Sequence, residues 1–266
     1  MKRIVPGLLI AGLWLLLLLI GSAPMFNLVL FIIVFIGADE YIRMAFASIP
    51  SAADRLLLDG IIALPVAAAC IKPVPSVLLP SVIIAFALTV SYFLYRYRVL
   101  DECYSHMARI IMGSTYVGLL GAHLILLRAL PEGASWILIA TAITASSDSG
   151  AYFAGKKFGK RKLCPNISPN KTIEGAVGGL ICALIASVVF ALMVLPSFNL
   201  VSLLIVTVFL SGVGITGDLT ESIIKRGTGT KDSGRCLAGH GGILDRVDSL
   251  LFVAPVLYYF LIFSVL

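Results

Sequence analysis

The chain has 266 residues, 59% hydrophobic and only 13% charged, with a formal net charge of +6. That charged share is about half the usual globular value, so a water-soluble fold of this size could not cover its apolar surface and a bilayer must solvate it. Disordered, collagen-like and disulfide-scaffold chains are excluded by the same composition, and the basic excess is read as a topological signal, with no nucleic-acid partner expected.

In chain order the apolar runs are 5–20, 28–47, 57–70, 77–95, 110–127, 135–145, 176–195, 200–216 and 250–266. Each is expected to be a membrane helix, although the third and sixth are short for a span of about 20 residues. The first follows Lys2-Arg3 and ends at Gly21-Ser22-Ala23-Pro24, which mimics a secretory signal. Further apolar runs follow and proline stands at the would-be cleavage point, so it is read as the first membrane helix. With the N-terminus inside and nine spans, 18 basic residues fall on inside segments and only Lys72 and Arg128 outside. That asymmetry is a strong positive-inside signal. The fold expected is therefore all-α and polytopic, with about nine transmembrane helices and cytoplasmic active-site loops.

The five cysteines, Cys70, Cys103, Cys164, Cys182 and Cys236, are scattered and form no C-x-x-C, which argues against zinc and a disulfide framework. His106 and His123 are read as structural or interfacial, on burial habits. No internal repeat is visible, against the architecture of many transporters. Two inside connections are long, 146–175 and 217–249, and loops of that length usually carry function.

The first of these holds the basic cluster Lys156-Lys157-Phe158-Gly159-Lys160-Arg161-Lys162, suited to anionic lipid headgroups or phosphate. It ends in Ser168-Pro169-Asn170-Lys171-Thr172-Ile173-Glu174-Gly175, which reads as a helix start with Thr172 as N-cap. Free N–H groups there, beside Lys171, would suit an anion. In the second connection Asp218, Glu221, Ser222 and Lys225 fall at i, i+3, i+4 and i+7 and would share one helix face. Asp245 and Asp248, three apart, would share another. Glycines between them allow close backbone approach to a ligand. The P-loop spacing G-x-x-x-x-G-K-[ST] is absent. Carboxylates, basic residues and glycines without zinc ligands suit a hard cation such as Mg2+ bridging to phosphates.

The segment 222–248, S-I-I-K-R-G-T-G-T-K-D-S-G-R-C-L-A-G-H-G-G-I-L-D-R-V-D, resembles the signature of the phosphatidate cytidylyltransferase (CDP-diacylglycerol synthase) family, S-x-x-K-R-x-x-x-x-K-D-x-[GSA]-x-x-[LIF]-[PG]-x-H-G-G-x-x-D-R-x-D. Ala238 replaces the usual proline. The stretch from Asp148 through Tyr152, Lys160, Lys171 and Glu174 to Gly179 resembles the second family block, and Asp39-Glu40-Tyr41 its short acidic-aromatic element.

The resemblance implies transfer of CMP from CTP to phosphatidic acid, giving CDP-diacylglycerol and pyrophosphate with Mg2+, alone or with a second cation. It implies a homodimeric enzyme of the bacterial inner membrane, among membrane lipids, with its site open to the cytoplasm, in which residues 1–127 are expected to anchor the protein and supply dimer contacts and residues 128–266 to form the catalytic membrane region. Asp218 and Asp245 are then expected to bind metal, with Asp248 as a further ligand or beside them. Lys225, Arg226, Lys231 and Arg246 would hold the CTP phosphates or the pentavalent centre. Lys171, with Ser168 and Thr172, would hold a substrate phosphate. Ser222, Asp232, His240, Gly241 and Gly242 complete the expected substrate-binding set. The competing readings are a membrane lipid or polyprenol kinase using CTP or ATP, and, in a different class, a transporter. The full signature favours the cytidylyltransferase, and a transporter would place its ionisable groups near the bilayer midplane.

Overall fold

The computed structural model describes residues 4–46, 51–98, 100, 102–230, 233–234 and 241–263. Its helices are α1 (Ile4–Ile20), α2 (Ala23–Ala45), α3 (Ala52–Ile71), α4 (Leu78–Arg96), α5 (Cys103–Gly113), α6 (Leu120–Ala129), α7 (Gly133–Phe158), α8 (Ile173–Val194), α9 (Leu200–Gly227) and α10 (Leu244–Ile262). Among the described residues the apolar runs lie on these helices to within a residue or two at their ends, the last of them on α10 as far as Ile262, and the run 110–127 crosses α5 and α6 through a π-helical turn, Ser114–Leu119. The expectation of an all-α polytopic membrane protein therefore holds. Among the described residues, five helical stretches, Ala23–Ala45, Pro75–Arg96, Cys103–Ala129, Ile173–Val194 and Leu200–Gly227, are long and apolar enough to cross a membrane by length and composition. The strands found among the described residues are β1 (Lys162–Cys164) and β2 (Ser168–Thr172), an antiparallel pair with Lys162 opposite Thr172.

The two long connections are shorter than the apolar runs suggested. Helix α7 continues through Ser146–Phe158, and α9 continues to Gly227. The hydroxyls of Ser146 and Ser149 donate to the carbonyls of Ala142 and Ala145, and those of Thr216 and Thr220 to Gly212 and Thr216. Small polar residues thus satisfy themselves on the helix they occupy, and the helix carries on past the end of the apolar run.

The chain falls into two compact units, residues 1–129 with 227–246, and residues 130–226 with 247–266. In the first, Phe26, Leu30, Val34, Ile62, Val66 and Leu124 are buried. Helix α5 ends where Gly113 meets Tyr41: a Cβ there would lie 2.8 Å from the ring's Cδ1. The Tyr41 hydroxyl donates to the Arg109 carbonyl at 2.8 Å. Asp54, beside the N-cap Ser51 of α3, pairs with Arg96 at the end of α4. Arg128 donates to the Gly21 carbonyl at 2.9 Å, which ties α6 to the turn between α1 and α2.

In the second unit α8 shows how a membrane helix packs. Gly175, Gly179, Ala183, Ser187 and Ala191 are buried, whereas Val177, Ile181, Ile185, Val189 and Leu192 are exposed. The small residues recur every fourth position and let the backbone of α7 come close, while large apolar side chains face outward where lipid solvates them. A Cβ at Gly179 would lie 2.6 Å from the Ser147 carbonyl and 3.2 Å from Ala151 Cβ. Gly179→Val should therefore separate α7 from α8 and destabilise the protein by about 1–3 kcal/mol or more. A lowered melting temperature of the detergent-purified variant, with Ala183→Gly as the space-creating control, checks this.

Candidate active site

The second unit gathers most of the expected residues. Thr172 is the N-cap of α8: its side chain accepts from Gly175 N at 3.1 Å, as the sequence suggested. Glu174, two residues on, accepts the backbone N–H groups of Lys160 and Arg161 at 3.0 and 3.2 Å. The capping residue and this carboxylate hold the β1–β2 hairpin against the start of α8. The hairpin presents Lys171, which pairs with Asp218 on α9. Ser168 opens β2 opposite Cys164. Arg226, near the end of α9, donates to the Ile167 carbonyl at 3.4 Å, so the same hairpin is anchored from α9 as well.

The face expected on α9 is present. Lys225 pairs with Glu221, one turn earlier, at 2.6 Å, and the Glu221 side chain is only 1% exposed. Ser222 is half-buried on the same helix. Gly217 explains how α9 meets α10: a Cβ there would lie 2.7 Å from the Asp248 carbonyl and 3.1 Å from Ser249 Cα. The near-contact of backbones brings Asp218, the next residue, toward Asp248. Asp248 is buried ahead of the apolar stretch of α10, and its Oδ1 accepts Ser249 N at 2.6 Å. Burial pushes its carboxyl up to about 7, and the negative charges of Asp218 and of Asp148 on α7 add to the shift.

Residues 241–246 belong to the first unit. Gly241 has φ of +79°, a left-handed conformation that glycine adopts without strain. The Asp245 carboxylate accepts Gly242 N at 2.8 Å and Ser233 N at 3.2 Å, and so organises the turn before its own helix. Arg246 follows it and is exposed. Lys231, Asp232 and His240, together with Ala238, lie outside the described residues.

The arrangement draws together Lys171, Asp218, Lys225 and Asp248 with the supporting Thr172 and Arg226. Two acids reach this group without having been given a role by their spacing. Glu221 was on the expected α9 face, and its burial against Lys225 needs the folded helix. Asp148 follows Ser146-Ser147 in what the sequence presents as a loop, and only the continuation of α7 makes it a helical residue within the field of Asp248. Among the described residues, no three His, Cys, Asp or Glu side chains converge closely enough to hold an ion unaided. The donor chemistry nevertheless fits a hydrated hard cation: carboxylates alone, one of them buried among like charges, with cationic side chains alongside. Mg2+ is commonly held by one or two carboxylates, with waters and substrate phosphates supplying the rest.

Comparison with known proteins agrees with this chemistry. The sequence profile of the cytidylyltransferase family matches residues 1–264. The chain is 37% identical over 277 residues to a phosphatidate cytidylyltransferase of Bacillus subtilis, covering 98% of this chain and 97% of that protein. It is 46% identical over 178 residues to the enzyme of that name from Staphylococcus saprophyticus, and 45% identical over 180 residues to that of Staphylococcus aureus (strain COL), covering in each case 66% of this chain and 68% of the relative. With a match running almost end to end, the chain belongs to the cytidylyltransferase family.

Proposed function

We propose that this protein is a phosphatidate cytidylyltransferase, transferring CMP from CTP to phosphatidic acid and releasing pyrophosphate. The observation that carries the reading is the carboxylate and lysine group of the second unit, Lys171, Asp218, Lys225 and Asp248, in a chain similar over nearly its whole length to enzymes of that name.

A phosphatidic acid oxygen is already an anionic nucleophile, so no strong general base is required. It forms a bond to the α-phosphorus of CTP as the bond to the β-phosphate oxygen breaks, and pyrophosphate leaves with that electron pair. The difficulty is bringing two polyanions together, and positioning with charge neutralisation accounts for most of such catalysis. Lys171 and Lys225, with Arg226, are assigned to the phosphates, and the family resemblance adds Arg246. Ser168, Thr172 and Ser222 are assigned to orienting the substrates, and the family resemblance adds Lys231, Asp232, His240, Gly241 and Gly242. Asp218 and Asp248 are assigned to Mg2+, and the resemblance adds Asp245 to that set. When bound, Mg2+ would neutralise phosphate charge and polarise the α-phosphorus. Lys171 and Lys225 each pair with a carboxylate in the structure described, Asp218 and Glu221 respectively, so both lysines stand beside acids at the helix ends.

The reading places the enzyme as a homodimer in the bacterial inner membrane, with these residues on the cytoplasmic side, where the basic residues of the inside segments lie. Pyrophosphate release tests it. Purified protein with CTP and Mg2+ should release pyrophosphate only when phosphatidic acid is added. Release of CDP in its place, or release indifferent to the lipid, would refute it.

A further inference from the structure

Helix α10 carries Asp245, Arg246 and Asp248 on its first turns, and its first residues need partners for backbone N–H groups that have none inside the helix. No side chain of the helix itself supplies the first of them. Leu244 N donates instead to Glu40 on α2, at 3.0 Å and 204 residues away in sequence. The next, Asp245 N, donates to the Ser233 hydroxyl at 3.3 Å, and that hydroxyl donates onward to the same Glu40 oxygen, Oε2, at 3.4 Å. Glu40 is 4% exposed. Gly234 and Gly242 lie so close to its carboxylate that a Cβ at either would overlap it. Glu40 is therefore an N-cap delivered from another helix. Its negative charge suits the positive end of the α10 dipole.

We propose that Glu40 is a positioning residue for the transfer reaction, fixing the start of α10 and through it the direction in which Asp245 and Arg246 project. The inference rests on the reading that these two residues serve the substrates. One oxygen makes both bonds. Among the described residues nothing donates to the other, Oε1. Reach matters, then, more than the second oxygen or the full charge. An amide of the same length keeps the accepting oxygen in place, whereas a side chain shorter by one methylene withdraws it.

The test compares Glu40→Gln, Glu40→Asp and Glu40→Ala in the full-length protein in detergent, with Ser233→Ala as a variant that removes the relay without altering α2. Steady-state kinetics are normalised to the number of CTP sites found by equilibrium binding, so that loss of folded protein does not count as loss of turnover. Glu40→Gln should keep kcat within about threefold of wild type, and Glu40→Asp and Glu40→Ala should lower it by roughly tenfold or more with KM for CTP little changed. Ser233→Ala should fall between. If Glu40→Gln falls as far as Glu40→Ala, the carboxylate acts by its charge and the positioning role is overturned. It is also overturned if Glu40→Ala loses CTP sites but turns over normally at those remaining. Asp245→Asn, measured alongside, reports on the underlying reading: full turnover there would overturn that reading whatever Glu40 does. Loss in Asp245→Asn with full turnover in Glu40→Ala would overturn the positioning role alone.

Discussion

Asp218→Asn and Asp248→Asn are each expected to lower CMP transfer by two orders of magnitude or more while leaving the size-exclusion profile unchanged. The estimate of roughly 100-fold is that of removing one preorganised charge-stabilising group from a water-poor site. The amide keeps the shape of the carboxylate but loses the charge that a hard cation requires. The two variants should differ with pH. Asp248 is pushed up to about 7 from 3.8 by burial and by Asp218 and Asp148. The folded state therefore holds that proton more tightly than the unfolded chain. Its contribution to stability is fully present below about pH 4 and is lost as pH rises toward 7. A bound cation favours the ionised form, so the apparent affinity for Mg2+ should increase between pH 6 and 8. Asp248→Asn should flatten that dependence and Asp218→Asn should shift it to lower pH, because one of the like charges acting on Asp248 is gone. Near wild-type turnover of either variant at limiting Mg2+ would remove that residue from the metal set.

Lys225→Met is expected to be the most damaging change at a single basic position, for two separable reasons. It leaves Glu221, 1% exposed, without the lysine's countercharge. Breaking a buried ion pair in this way costs about 3–5 kcal/mol. It also removes a cation assigned to the CTP phosphates. The double variant Glu221→Gln/Lys225→Met separates the two. It removes the buried charge along with its partner, so the melting temperature should return most of the way to wild type. Turnover should not return. Recovery of both would make Lys225 a structural lysine and nothing more.

Much of the fold was readable because a membrane helix announces itself through a long apolar run, and the helices follow those runs closely. The N-cap at Thr172 was readable for a local reason: a threonine followed by an acidic residue just ahead of an apolar run can satisfy the free N–H groups of that helix. The lengths of the connections were not readable. Ser146, Ser149, Thr216 and Thr220 look like loop residues by type, and only their bonds to carbonyls one turn back show that the helix continues through them. The β1–β2 hairpin was missed because strands of three and five residues, K-L-C and S-P-N-K-T, are too short to show an alternating pattern.

The site divides along the same line. Asp218, Lys225 and Asp248 stood out as charges at helix spacing, and the family resemblance gave them roles. Lys171 was found through the helix start beside it, but its pairing with Asp218 joins a hairpin to a helix and has no trace in local spacing. Asp148 was hidden within an apparent loop. Glu40 appeared only as part of a short acidic-aromatic element near the end of α2. Its bond to Leu244, on the far side of the sequence, is a property of the tertiary fold.

The most direct measurement follows phosphorus from CTP into lipid. Purified protein is incubated with phosphatidic acid, Mg2+ and CTP labelled at either the α- or the γ-phosphate, with Asp218→Asn as a control for contaminating activity. The α-label should enter the lipid fraction, the γ-label should appear only in pyrophosphate, and the control should show neither. Appearance of γ-label in the lipid would make the protein a kinase, and equal α-label incorporation by Asp218→Asn would place the chemistry away from the carboxylate and lysine group of the second unit.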